Sequence, residues 1–132
     1  FPDHNIVLLD ADALVLKDPV LFGTLTCDIA FHKIRYEEHI EHCTGTLFVK
    51  NTDIMQQFIM DWININEMCK TMDDQQCLEF CLKHHDEIKV EQLPIEYCCI
   101  VGNRIQRKKI IGDVVIKHTQ ASRRYKKIIN DK

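Results

Sequence analysis

Two carboxylates that follow an apolar run are the residues of this sequence best suited to chemistry. Asp10 and Asp12 come directly after Ile6-Val7-Leu8-Leu9, and four consecutive apolar residues are typical of a strand buried on both faces in a parallel sheet. An extended Asp-x-Asp segment points both side chains the same way, at the strand end where α/β proteins bind ligands. Such hard oxygen ligands favour Mg²⁺ or Mn²⁺ together with a phosphate. The alternative interpretation is a polar turn that ends the strand.

A second group of functional candidates lies in the last third of the chain. The apolar run 114–116 predicts another buried strand, and His118 lies at its C-terminal end. Ser122 is a typical helix cap, so the basic run 123–127 would begin a helix. Free amides, the positive end of the helix dipole and the basic side chains all favour phosphate there. A solvated C-terminal helix is the alternative.

Strands and helices alternate in the segments that must position these two groups. Gly45, in the predicted strand 44–49, would permit close backbone approach by a ligand or a neighbouring segment. Asn51 and Thr52 can cap a helix whose apolar residues, including Trp62, recur at three- and four-residue steps. Either Asp73 or Asp74 can cap a second helix. Further strands are expected at 14–16, 28–31 and 88–93, and a loop or mobile flap at 35–41.

Composition sets wide limits on the class of protein. The 132 residues are 45% hydrophobic and 28% charged, and the net charge is −3. These values are normal for a soluble globular domain and give no indication of nucleic-acid binding. No apolar run approaches the length of a membrane span.

The seven cysteines lie within apolar segments, which favours free buried thiols in a reducing compartment. The expected location is therefore the cytoplasm. A structural zinc site is the alternative, built from Cys77, Cys81, His84 and His85. Against it, the cysteines and their leucine neighbours form one helical stripe, as in core packing. A metal site of His32, His39 and His42 is a further, unspecific possibility.

The order of several motifs resembles the GT-A nucleotide-diphospho-sugar transferases, and most of all the glycogenin-like retaining enzymes. The resemblance covers most of residues 5–127. The motifs, in chain order, are Asp10-Ala11-Asp12, Thr44-Gly45-Thr46-Leu47-Phe48, a helix ending in Trp62, Asp73-Asp74-Gln75-Gln76-x-Leu78, Leu93-Pro94-x-x-Tyr97 and Val115-Ile116-Lys117-His118-Thr119-Gln120-Ala121-Ser122-Arg123-Arg124. The resemblance implies an α/β fold with a mixed, mostly parallel sheet flanked by helices.

The resemblance also implies roles for individual residues. Asp10, Asp12 and His118 would bind Mn²⁺ or Mg²⁺, and the metal would hold the donor diphosphate. Gly45 would line the sugar pocket, and the catalytic pair Asp74 and Gln75 would face the donor sugar. Asp10 and three basic residues would contact the diphosphate: Arg123, Arg124 and Lys126. The His-x-x-Gly-x-Lys signature of the closest relatives is here His118-Thr-Gln-Ala-Ser-Arg123.

The implied activity is transfer of a sugar from a nucleotide-diphosphate donor to a glycan, protein or lipid acceptor. In this fold, α/β units that hold the nucleotide precede the Asp-x-Asp strand, whereas five residues precede it here. We therefore interpret residues 1–132 as one partial transferase domain. The missing half is expected from a longer chain or a partner, or else the piece alone is inactive. An exposed apolar edge should result.

Two other classes of function are open from the sequence. A haloacid-dehalogenase-like phosphatase also begins with an apolar strand and Asp-x-Asp, although Leu14 replaces its usual Thr or Val. A non-catalytic binding or assembly protein could keep the sheet and lose the metal. The transferase hypothesis makes a specific structural prediction: Asp12 and His118 must converge to within about 4 to 5 Å around one cation.

Overall fold

The computed structural model describes residues 4–121 as an α/β fold with two mixed sheets. The strands are β1 (Ile6–Leu9), β2 (Ala13–Val15), β3 (Ile29–Arg35), β4 (Ile40–Val49), β5 (Val90–Gln92), β6 (Cys99–Ile100) and β7 (Ile116–His118). The α-helices are α1 (Asp53–Met68), α2 (Asp74–Lys83) and α3 (Arg104–Arg107), and short 3₁₀ helices span Val20–Gly23 and Ile95–Tyr97.

The larger sheet has the strand order β1-β4-β3-β5. β4 pairs antiparallel with β1 and β3, whereas β5 adds to β3 in parallel. The β3–β4 ladder contains a bulge of three residues: Phe31 pairs with Leu47, but the next residue, His32, pairs with Cys43. Residues 44–46 therefore have no partner in β3. Bulges of this kind redirect side chains and are common beside functional sites.

The smaller sheet has the order β2-β7-β6, with β7 antiparallel to β2 and parallel to β6. In its register Ala13 pairs with His118. The segment 10–12 connects β1 of the larger sheet to β2 of the smaller one. The end of β1, the start of β2 and the end of β7 are thus brought to one place.

The helices pack on the larger sheet because their apolar residues share one face. Met55 and Phe58 of α1 are buried with Phe31 and Leu47 of the sheet. Thr52 caps α1 by accepting a hydrogen bond from the Met55 amide, as the sequence predicted. The predicted cap of α2 is also confirmed: Asp73 forms a capping box with Gln76.

The expected α/β class with mixed strand directions and flanking helices is confirmed, but parallel pairings do not predominate. There are two sheets, and three of the five strand pairings between the described residues are antiparallel. The physical reason is the connection between β3 and β4: a tight turn at 36–39 can join only antiparallel neighbours. Within the segment 35–41, expected as a loop or flap, residues 36–39 form the turn of this hairpin, whereas Arg35 ends β3 and residues 40–41 begin β4.

β1 also differs from the expectation of a strand buried on both faces. Its four side chains are 38 to 48% exposed, because β1 is the edge strand of the larger sheet. An exposed apolar edge was expected, and β1 provides it. All seven cysteines are free, with five buried and two, Cys69 and Cys99, partly exposed. None of the helices within residues 4–121 is both long and apolar enough to cross a bilayer.

Candidate metal centre

The two carboxylates of the site are held by the backbone that leaves β1. The Asp10 amide donates to the Gly45 carbonyl at 2.9 Å, which continues the β1–β4 pairing by one residue. The Ala13 amide then donates to the Asp10 carbonyl at 2.9 Å and closes a turn. Asp12 lies inside this turn, directly before β2. Asp10 is exposed and Asp12 is partly buried, so solvent reaches the pair from one side.

His118 approaches the carboxylates from the last position of β7. Its Nδ1 atom lies 3.8 Å from Oδ1 of Asp12, and its side chain is only 5% exposed. Oδ2 of Asp12 accepts a hydrogen bond of 3.0 Å from the Ala121 amide, so that carboxylate is oriented. One ligand atom from each of Asp10, Asp12 and His118 lies within 4.8 Å of the others. The expected convergence of Asp12 and His118 is therefore present.

The space between these side chains fits a small cation. Nδ1 of His118 is buried and has no hydrogen-bond partner among residues 4–121, which leaves a polar atom that a metal could satisfy. A Cβ atom added at Gly45 would lie 3.0 Å from Oδ2 of Asp10 and 3.1 Å from Nδ1 of His118. Glycine keeps this space open. Two carboxylates and one imidazole form a donor set that suits Mn²⁺ or Mg²⁺.

Opposing effects act on the protonation of His118. Burial disfavours the charged imidazole, but the Cys98 thiol and the carboxylates of Asp10 and Asp12 outweigh it, so the pKa of His118 is raised. The site is thus an electronegative environment that stabilises positive charge, whether a proton or a metal ion supplies it.

Two cysteines lie beside His118 in the same buried region. Cys43 of β4 and Cys98 belong to one apolar cluster with Ile34. The hydrogen bond between Cys43 and Cys98 lowers the pKa of the Cys98 thiol, and His118 adds to this effect although burial opposes it. The same hydrogen bond, together with burial, raises the pKa of the Cys43 thiol. The buried Gln106 side chain holds this segment, because it donates to the Cys98 carbonyl at 2.8 Å and accepts from the Ile100 amide at 2.7 Å.

The three converging side chains open into a cavity of about 270 Å³. Gly45 and Gln75, both expected near the donor sugar, contribute to its wall. The other lining residues are Tyr36, Glu41, Cys43, Cys98, Ile100, Asn103 and Gln120. Since the lining is largely polar and includes both carboxylates and amides, the cavity can form hydrogen bonds to a hydroxylated ligand.

The remaining expected site residues are not all brought to this cavity. Asp74 is absent from its wall: its Oδ2 atom accepts a hydrogen bond of 2.7 Å from the Thr44 hydroxyl, and its carbonyl accepts from the Trp62 indole. Asp74 thus supports the bulge beside Gly45. The expected phosphate contacts Arg123, Arg124 and Lys126 lie outside the described residues.

The alternative metal sites do not form in the described part of the chain. Cys77 and Cys81 are buried in the helical core, while His84 bonds to the Phe80 carbonyl. His32 is likewise occupied, because its Nδ1 atom lies 2.8 Å from the Leu93 carbonyl. Within residues 4–121, only one group of three or more His, Cys, Asp or Glu side chains is placed to share an ion, and it consists of Asp10, Asp12 and His118.

Sequence reasoning missed two neighbours of His118, namely Thr46 and Cys98. Thr46 was considered only as part of a strand, yet its hydroxyl lies 2.8 Å from Nε2 of His118. Cys98 was expected only as one of the seven buried thiols. Thr46 could have been noticed because Thr44-Gly45-Thr46 interrupts an otherwise apolar strand with polar residues. Nothing in the sequence distinguished Cys98 from the other buried thiols.

Comparison with known proteins gives one match. A family model described as nucleotide-diphospho-sugar transferase matches residues 3–127. No curated protein and no solved structure matches the chain. The matched range includes Asp10, Asp12 and His118, and it also includes the basic residues of the segment 122–127.

Proposed function

The chain belongs to the nucleotide-diphospho-sugar transferase family, and from this premise we propose that it is a metal-dependent glycosyltransferase of the GT-A type, related to the glycogenin-like retaining enzymes. Its donor is a nucleotide-diphosphate sugar, and its cation is Mn²⁺ or Mg²⁺. Asp10, Asp12 and His118 are the proposed metal ligands. The acceptor is a glycan, a protein or a lipid.

The observation that carries this proposal is the convergence of residues far apart in the chain. Asp12 and His118 approach to 3.8 Å although more than 100 residues separate them. The pairing of β2 with β7 brings the backbones of Asp12 and His118 together, and one ligand atom from each of Asp10, Asp12 and His118 converges on a common space that a cation could occupy. The buried, unpartnered Nδ1 atom of His118 and the open space above Gly45 support a cation as that ligand.

An electronegative pocket that holds a cation is suited to sugar transfer from a diphosphate donor. A bound divalent cation neutralises the negative charge that develops on the departing diphosphate. The residues of the chain orient the partners: Gln75 offers an amide to the donor sugar, and Gly45 leaves room for it. Asp74 holds Thr44 and so fixes the backbone beside Gly45. Arg123, Arg124 and Lys126 are proposed to contact the diphosphate.

Metal titration together with donor hydrolysis tests the proposal. Mn²⁺ affinity should fall at least about tenfold in Asp12→Asn and His118→Ala, because each removes a ligand. Asp86→Asn and His84→Ala serve as matched controls, since neither residue belongs to the candidate metal group or lines its cavity. Hydrolysis of nucleotide-sugar donors should stop when a chelator is added.

Two outcomes would contradict the proposal. Turnover that persists with chelator would exclude a metal-dependent transferase. Unchanged Mn²⁺ affinity in both ligand variants would indicate a non-catalytic protein that keeps the sheet for binding or assembly.

A further inference from the structure

The two ring nitrogens of His118 have different environments. Nε2 lies 2.8 Å from the hydroxyl oxygen of Thr46, whereas Nδ1 is buried without a hydrogen-bond partner in residues 4–121 and faces Asp12 at 3.8 Å. Thr46 is fully buried, with 0% of its surface exposed. It lies in the bulge of β4, where no residue of β3 opposes it. The bulge thus places one hydroxyl directly behind the candidate metal ligand.

A neutral imidazole carries its hydrogen on one nitrogen and a lone pair on the other. If the hydrogen is on Nε2, the Thr46 hydroxyl accepts it and the lone pair of Nδ1 faces the carboxylates. If the hydrogen is on Nδ1, it occupies the place of the cation and no metal bond can form. Metal-binding histidines commonly donate their second ring N–H to a neighbouring acceptor, which fixes both the tautomer and the orientation of the ring.

We propose that Thr46 is a positioning residue, whose hydroxyl accepts the Nε2 hydrogen of His118 and thereby presents Nδ1 as the atom that coordinates the cation. The inference rests on the metal site of the proposed function but not on sugar transfer. It concerns a residue that itself contacts neither the cation nor the substrate.

Removal of the hydroxyl tests the proposal without a change in side-chain shape. Thr46→Val removes the hydroxyl that accepts the Nε2 hydrogen when the metal binds. Affinity for Mn²⁺ should therefore fall by about 10- to 100-fold, as for other residues that support metal ligands. Thr46→Ser keeps the hydroxyl and should restore affinity to within a few-fold of the wild type. Thr24→Val removes a hydroxyl that bonds only to the Leu21 carbonyl and serves as the control.

Nitrogen NMR of the histidine side chains gives a second measurement that does not depend on affinity. In the Mg²⁺-saturated protein, the His118 ring should carry its hydrogen on Nε2, and that hydrogen should exchange slowly with solvent because it is buried against Thr46. In Thr46→Val, saturated at higher Mg²⁺, the exchange should be faster. A thermal unfolding curve of each metal-free variant separates loss of fold from loss of metal binding.

The outcomes distinguish this proposal from the metal site itself. Wild-type Mn²⁺ affinity in Thr46→Val, with affinity lost in His118→Ala, would overturn the role of Thr46 and leave the site intact. Equal losses in Thr46→Val and Thr46→Ser would also overturn it, because packing and not the hydroxyl would then be responsible. Hydrogen on Nδ1 in the Mg²⁺-bound protein would overturn the assignment of the coordinating atom. Unchanged affinity in His118→Ala would remove the metal site altogether.

Discussion

Substitution of Gly45 by alanine is the smallest change that should fill the candidate metal site. The added Cβ would lie 3.0 Å from Oδ2 of Asp10 and 3.0 and 3.1 Å from Cε1 and Nδ1 of His118. Ordinary van der Waals contacts begin at 3.4 Å, so the neighbours must move by a few tenths of an ångström. Asp10 is exposed and can turn away. His118 is buried and held by Thr46, and so it has little freedom to move.

The consequence for metal binding follows from these distances. Two donors on opposite sides of one ion are about 4 to 4.6 Å apart, since each metal bond is about 2.0 to 2.3 Å long. The ligand atoms of the site already span up to 4.8 Å. If Asp10 turns away, one carboxylate is lost, and the expected fall in affinity is about 10- to 100-fold. This corresponds to about 1.4 to 2.8 kcal/mol.

The consequence for folding should be much smaller. Overpacking costs energy, but the displaced carboxylate can move into solvent, and alanine also reduces the entropy of the unfolded chain by the equivalent of about 0.4 to 1 kcal/mol. The two effects oppose each other. We therefore expect the metal-free variant to unfold within a few degrees of the wild type while it binds Mn²⁺ more weakly.

Isothermal titration with Mn²⁺ and thermal unfolding without metal together test this prediction. Gly23→Ala is the matched control, because an added Cβ there meets no atom within 4 Å. Wild-type Mn²⁺ affinity in Gly45→Ala would refute the reasoning, since the cation could then not occupy the space beside Gly45. An equal loss in Gly23→Ala would show that the effect is not specific to the site.

Three further predictions concern the fold. Asp73→Ala removes the capping box of α2 and should cost about 1 kcal/mol in urea unfolding, whereas an unchanged midpoint would show that the cap is not needed. The hydrogen bond from the Gly112 amide holds the pKa of Glu96 below its usual value. The ionised carboxylate therefore stabilises the fold fully at pH values above the usual pKa, and this stabilisation is lost as the pH falls through the lowered pKa. Glu96→Gln should thus be less stable than the wild type at neutral pH, by less than about 1 kcal/mol, and equal to it in acid; a constant difference would contradict this. In thiol titration, the native protein should react first at the partly exposed Cys69 and Cys99, and the denatured protein should react at all seven cysteines. Fewer than seven reactive thiols in denaturant without reductant would indicate disulfides.

The elements that depend on local rules could be predicted from the sequence. The caps Thr52 and Asp73 are sequence-local features, and both are where their side chains and spacing indicated. The approach of Asp12 to His118 was also predictable, but from the order of motifs and not from spacing. The strand directions and the neighbours of His118 depend on contacts between distant segments. Local patterns of apolar residues carry little information about such contacts.

β4 shows most clearly why the rest was not predictable. After the bulge, Leu47 and Val49 face the helices. Before the bulge, the residue on the same side of the sheet is His42, which packs against Phe31. The side chains that face the helices change from odd to even positions within a single strand. Alternation of apolar residues is the main signal for a strand, and it is interrupted here. The first two residues of β4, 40 and 41, were therefore expected in a loop.

Because of this change of phase, the fold depends on the number of residues in the bulge as well as on their identity. Loss or gain of one residue between Cys43 and Leu47 would rotate the β3–β4 hairpin by one position, which turns every side chain of residues 40–43 to the opposite face. Cys43 would then face the helices, and His42 would enter the cluster beside Cys98. Among homologous sequences, insertions and deletions in 44–46 should accordingly be rare. Evolution of the site is thereby constrained by the length of a backbone segment as well as by the chemistry of its ligands.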